Sequence, residues 1–140
     1  MMDGTLQGLI DWYQTITPQS VSRVGEFYAP DAHFVDPFND VRGVPAIENI
    51  FRHLFTQVSE PRFAVKAVCT ATDQATLTWD FSFSAGGKRH VVPGATFLRF
   101  DPKGQVCMHR DYWDPASSLF MGLPLIGWAL RALYRRLRAR

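Results

Sequence analysis

The feature that most constrains this chain is a change of hydrophobic period near Pro61. From Ala75 to Ser84 apolar and polar residues alternate without a break: Ala75, Leu77, Trp79, Phe81 and Phe83 against Thr76, Thr78, Asp80, Ser82 and Ser84. Successive side chains of a strand point to opposite faces, so this run predicts a long strand with one face buried and one wet. Phe63, Val65 and Ala67 carry the same period just upstream. Before Pro61 the spacing is three and four instead. Leu6, Leu9, Ile10 and Tyr13 form one helical stripe, and Ile47, Ile50, Phe51, Leu54 and Phe55 form another over about residues 45–58. A helical stripe and an alternating strand each bury one side, and the simplest way to satisfy both is to pack the helices on the sheet.

Between the two stripes, Thr17 as N-cap and Pro18 at the first helical position predict a second helix. Its buried side would be Val21, Val24, Phe27 and Tyr28, and Pro30 would end it. Ala32 to Asp36 reads as a short strand closed by Pro37, followed by a loop through Asn39, Asp40 and Gly43. Downstream, Ala85-Gly86-Gly87-Lys88 and Asp101-Pro102-Lys103-Gly104 are turn sequences separating consecutive antiparallel strands. The predicted class is α+β, with three N-terminal helices on one face of a curved sheet.

At 140 residues the chain has room for one core. The net charge of +2 conceals an asymmetry: Arg131, Arg135, Arg136, Arg138 and Arg140 supply five of the 15 basic residues, and all 13 acids lie earlier. Residues 1–130 therefore hold ten basic and 13 acidic residues, a net of −3. This divides the chain into a mildly acidic body, 1–116, and a basic tail, 117–140. In the tail Leu125, Ile126, Ala129, Leu130, Leu133 and Leu137 share a helical stripe opposite Arg131, Arg135 and Arg138, with Leu119, Phe120, Met121 and Trp128 adding apolar surface. Two roles are open to it: a C-terminal amphipathic helix docked on the body or a partner, or a helix lying on an anionic membrane. The apolar run from Leu119 to Leu130 is too short and too broken to span a bilayer. Cys69 and Cys107 have no metal-ligand or redox spacing, and the first residues lack the basic and apolar regions of a signal peptide. A cytoplasmic location is expected, at most peripheral to the inner membrane face.

Chemistry concentrates on the last predicted strand. In Cys107-Met108-His109-Arg110-Asp111-Tyr112-Trp113-Asp114, strand parity puts His109, Asp111 and Trp113 on one face. A carboxylate aimed inward between a histidine and a tryptophan must be hydrogen-bonded, neutralised or used. Asp36 is a second acid of interest. It can form an Asx-turn at Pro37 or face a ligand.

Two segments carry a family resemblance. Phe27-Tyr28-Ala29-Pro30-Asp31-Ala32-His33-Phe34-Val35-Asp36-Pro37-Phe38, followed by Arg42-Gly43-Val44-Pro45-Ala46-Ile47, resembles the opening of the SnoaL-like branch of the nuclear transport factor 2-like superfamily. Leu98-Arg99-Phe100-Asp101, Gly104-Gln105-Val106 and Arg110-Asp111-Tyr112-Trp113 resemble its closing hairpin. The resemblance implies a cone: a curved mixed sheet wrapped round three helices with an apolar pocket at the wide end. It covers ketosteroid isomerases, polyketide cyclases, epoxide-hydrolase-like enzymes and non-catalytic binding domains. It places Asp36 at the isomerase general base, where an apolar wall raises a carboxyl's pKa toward working pH. The isomerase's oxyanion acid falls on Thr96, and its oxyanion tyrosine on Trp12, with Tyr13 one residue away. Asp111 is similar to the acid/base on the final strand of cyclases and epoxide-hydrolase-like members. The further Arg and Asp of the epoxide hydrolases fall on the strand of Leu77 and Trp79, where this chain is apolar.

The expectation is a small-molecule isomerase or cyclase acting on an apolar, carbonyl-bearing substrate, with Asp36, Asp111 and His109 catalytic. Trp12, Tyr13, Phe55, Trp79, Thr96 and Trp113 are the expected substrate contacts. Asp36 and Asp111 should open into one cavity walled by Trp79, Phe55 and Trp113. A carrier or sensor for an apolar or lipid-like ligand is the alternative, and an interaction domain whose pocket is plugged by its own tail is a third. No cofactor, metal or nucleic acid is expected, and a homodimer through the outer sheet face is.

Overall fold

The computed structural model describes residues 2–118 and 124–138. Leu119, Phe120, Met121 and Arg140, which the sequence reading assigned to the tail, lie outside them. Six strands form one sheet in the order β2-β1-β6-β5-β4-β3. They are β1 Tyr28–Val35, β2 Asp40–Arg42, β3 Ser59–Ala71, β4 Gln74–Ala85, β5 Lys88–Phe100 and β6 Val106–Tyr112. β1 runs parallel to β6, and every other pairing is antiparallel. The sheet is curved and unclosed, and with helices α1 (Met2–Gln14), α2 (Val24–Phe27) and α3 (Val44–Gln57) it makes the expected cone.

The local chemistry explains most of these elements. β4 and β5 are joined through Gly86 and Gly87, both at positive φ, between the paired residues Ala85 and Lys88. That is the conformation a two-residue hairpin loop asks of both positions, and glycine adopts it without a Cβ penalty. Alternation in β4 buries Ala75, Leu77, Trp79 and Phe83 as read from the sequence. Leu9 of α1, Val21, Val24, Ile47 of α3, Leu77 and Leu98 meet in the core.

The second helix differs from its expectation. Thr17 and Ser20 exchange bonds, Thr17 N to Ser20 Oγ at 2.8 Å and Ser20 N to Thr17 Oγ1 at 3.0 Å. This closes a tight turn that continues as a 3₁₀ helix, Ser20–Arg23, and only one turn of α2. The chain is already extended at Tyr28, so Tyr28 starts β1 rather than ending a helical stripe. Pro30 does not stop the strand because it lies where the β1–β6 register shifts, between Tyr28 and His33, and no ladder bond is asked of it there. Two short elements were not anticipated: β2, in the expected loop, and α4, Pro115–Ser118. The tail forms α5, Pro124–Leu137. Among the described residues no helix is long and apolar enough to cross a membrane.

Candidate functional site

Strand register builds the site. Thr96 of β5 lies directly opposite Asp111 of β6. Opposed residues of an antiparallel pair bring their Cβ atoms close, so two short side chains can meet. Thr96 Oγ1 donates to Asp111 Oδ1 at 2.6 Å. On β4, Trp79 is opposite Gly94, two residues from Thr96, and the indole reaches diagonally to donate from Nε1 to Thr96 Oγ1 at 2.8 Å. Gly94 makes this possible, because a Cβ there would stand 2.6 Å from Trp79 Cζ2.

His109, two residues before Asp111, shares its face. The residue is 3% exposed and its Nε2 lies 2.7 Å from Asp111 Oδ1. The other ring nitrogen meets two phenols. Tyr28 Oη is 2.8 Å from Nδ1 and 2.5 Å from Tyr13 Oη, while Tyr13 Oη is 3.4 Å from Nδ1. Parallel pairing of β1 with β6 sets Phe34 beside His109, and their rings stack at 4.3 Å between centroids.

These distances define one chain of buried hydrogen bonds, and one assignment of its protons gives every oxygen and nitrogen in it a partner. Tyr13 donates to Tyr28, Tyr28 to His109 Nδ1, and His109 Nε2–H to Asp111. From the other side Trp79 donates to Thr96, and Thr96 to the same carboxyl oxygen. No buried side-chain nitrogen or oxygen lacks a partner among the described residues. Oδ2 of Asp111 accepts no bond from them, which leaves it the oxygen free to act.

Burial holds both phenols well above the ordinary tyrosine value of 10.0. At Tyr13 the hydrogen bond with Tyr28 opposes that rise and the Asp111 charge adds to it; at Tyr28 both Tyr13 and Asp111 add to it. The phenols therefore remain proton donors at any neutral pH.

Asp111 lines a cavity with Tyr13, Phe51, Phe63, Val65, Leu77, Trp79, Thr96 and His109. The cavity volume is about 30 Å³. It is a narrow apolar cleft with one polar end. Among the described residues no part of α5 lines it.

Of the expected contacts, Tyr13, Trp79, Thr96, His109 and Asp111 converge here. Trp12, Phe55, Trp113 and Asp36 do not line the cavity. Trp12, on the next face of α1, is buried against Phe27 and Phe51 and donates to Ser20 O at 2.9 Å. One residue along a helix is a rotation of about 100°, which is why Tyr13 and not Trp12 faces the carboxylate. Phe55 packs half-buried against the core, and Trp113 meets Phe38 edge-on at 5.6 Å.

The anticipated meeting of Asp36 with Asp111 does not form. The β1–β2 hairpin takes the Asp36 side chain: Oδ1 accepts from Phe38 N at 2.8 Å and Asn39 N at 2.7 Å, and Asn39 Nδ2 bonds both carboxyl oxygens. Of the two roles open to Asp36, the geometry is that of the Asx-turn. Sequence reading missed Tyr28, which a helical stripe would have sent into the core with no polar duty. A buried phenol needs a partner, but only the β1–β6 pairing shows that the partner is His109.

The SnoaL-like domain model matches residues 9–109, so the chain belongs to the SnoaL-like family. It is 33% identical to the steroid Δ-isomerase of Nocardioides simplex over 103 residues, 71% of this chain and 81% of that protein. A protein with a ketosteroid isomerase-like fold from Catenulispora acidiphila, solved with trimethylamine, superposes with a TM-score of 0.72 at 19% identity, covering 89% of this chain and 95% of the other. A nuclear transport factor 2-like protein of unknown function from Burkholderia pseudomallei gives 0.71 at 18% identity, covering 81% and 92%. Both structural likenesses speak for the fold alone.

Proposed function

We propose that this SnoaL-like protein is an isomerase that moves a proton beside the carbonyl of an apolar ring ketone, with Asp111 as the base. The observation that carries the reading is the carboxylate itself, pinned through Oδ1 by Thr96 and His109 at the one polar end of an apolar cleft. A C–H bond next to the carbonyl breaks, its proton goes to Asp111 Oδ2, and the electron pair moves onto the carbonyl oxygen as an enolate. Returning the proton to a different carbon completes an isomerisation. Tyr13, whose phenol lines the same cleft, is the donor for the enolate oxygen once its O–H turns from Tyr28. His109 is a positioning residue that holds the carboxyl plane. The Nocardioides relative, a steroid Δ-isomerase, supports a steroid-like ketone as substrate class. Such a ligand exceeds the present cleft, so lining side chains have to move to admit it. Phe63 is only half-buried and sits on β3, the last strand of the sheet.

The test is turnover of a β,γ-unsaturated steroid ketone to the conjugated enone, followed by absorbance, with solvent deuterium uptake read by NMR. Replacing a positioned base removes about 10²–10⁴-fold in rate, and Asp111→Asn should do so with its thermal unfolding intact. Retention of wild-type turnover by that variant would rule out Asp111 as the base.

A further inference from the structure

The catalytic reading leaves α5 unexplained. Its side toward the body is narrow: Gly127 is buried, and Tyr134 donates to Asp114 Oδ2 at 3.0 Å. Among the described residues none of its side chains joins the hydrophobic core. Leu125, Ile126, Leu133 and Leu137 are instead 84%, 53%, 49% and 75% exposed. At 100° per residue these four fall within an arc of about 120°, centred more than a quarter turn from Gly127 and Tyr134. Arg131, Arg135 and Arg138 occupy a separate flank about 60° wide. Trp128, 64% exposed, stands between that flank and Leu125. No acidic residue follows Asp114 in the sequence.

We propose that α5 lays this protein on an anionic lipid bilayer, its leucine arc in the acyl boundary and its arginines on the lipid phosphates. An apolar arc, a cationic flank and a tryptophan at their border match the layering of a membrane surface. Arg136, inside the apolar arc, can extend its stem along that surface and keep its guanidinium at the phosphates. Charge decides against other occupants. A second copy of α5 would bring arginine against arginine with no acid to pair them. A nucleic acid would account for the arginines and leave the leucines in water. At 14 residues the helix is about 21 Å long, enough to lie in the interface and too short to cross it. An apolar substrate dissolved in lipid would then meet the protein where it is held.

The experiment uses full-length protein with vesicles of phosphatidylcholine alone or mixed with phosphatidylglycerol. Co-sedimentation should occur with the mixed vesicles, weaken as salt rises, and be accompanied by a blue shift in tryptophan emission that Trp128→Phe removes. Each basic residue at such a surface is worth about fivefold in affinity, so the triple variant Arg135→Gln, Arg136→Gln, Arg138→Gln should bind about a hundredfold more weakly. Leu125→Ser with Leu133→Ser should also release the protein. These positions are exposed, so the circular dichroism of both variants should match the parent. Equal binding to neutral vesicles, no binding at all, or undiminished binding by the arginine variant would overturn the proposal. So would a dimer in sedimentation velocity that the leucine substitutions dissolve, or capture by a DNA duplex with no affinity for vesicles.

Discussion

Tyr28→Phe removes one oxygen from the middle of the hydrogen-bond chain and nothing from the packing. The phenyl ring keeps its place against His109, 5.8 Å between centroids, and Phe51, 6.4 Å. What goes is the 2.8 Å bond to His109 Nδ1 and the 2.5 Å bond from Tyr13. A buried group left without its partner costs about 1–3 kcal/mol, and two groups are stranded. Part is recoverable, because Tyr13 Oη already lies 3.4 Å from Nδ1 and can close on it. One lost bond net, with the strain of that closure, amounts to about 2 kcal/mol. At about 2.1 cal/mol/K of unfolding entropy per residue, a chain of 140 residues should lose about 7 °C in Tm. Function should suffer as well. A Tyr13 drawn onto His109 no longer faces the enolate, and kcat should drop on the order of tenfold with KM little changed. Thermal unfolding by circular dichroism gives the first number and steady-state turnover the second. Nitrogen-15 NMR of His109 checks that the Nε2–H tautomer survives. A variant with wild-type Tm and wild-type kcat would refute the chain as an energetic and functional unit.

Gly94→Ala should cost about 1–3 kcal/mol in urea unfolding, as overpacking does, because the new methyl displaces the Trp79 ring toward the cleft; unchanged stability would mean that the indole does not lie over Gly94. Raised phenol pKa values give an alkaline limit. The unfolded chain loses the Tyr13 and Tyr28 protons near 10.0 while the folded chain retains them, so this contribution to stability is whole below pH 10 and falls above it. With both phenols held, the fall is about 2.7 kcal/mol per pH unit, and tyrosinate absorbance from this pair should appear only with unfolding; its appearance in folded protein would contradict their burial. Asp36→Ala should lower stability by about 1 kcal/mol through loss of the turn bonds, whereas Asp36→Asn, which keeps an acceptor, should hold turnover within about threefold, far short of the loss expected on removing a base. A loss as large as that of Asp111→Asn would return Asp36 to the chemistry.

Much of the cone is legible in the chain because its determinants are local. Alternation from Ala75 to Ser84 requires a strand, the 3–4 spacing of Ile47 to Phe55 requires a helix, and Gly86-Gly87 permits the turn between β4 and β5. Strand parity alone puts His109 and Asp111 on one face. Parity cannot say which strand lies next door. That Thr96 faces Asp111, that Phe34 stacks on His109, and that Tyr28 reaches it from 81 residues away depend on the β5–β6 and β1–β6 registers. Those registers are set by burial summed over the whole sheet. The same division explains Asp36 and the second helix. A few polar bonds at Asp36–Asn39 and Thr17–Ser20 decide the local backbone, and a hydrophobic pattern carries no trace of them. Periodicity reports which way each side chain points from its own backbone; only the packed sheet determines what it meets there, since a hydrogen bond between distant residues exists only after the chain has closed the loop between them.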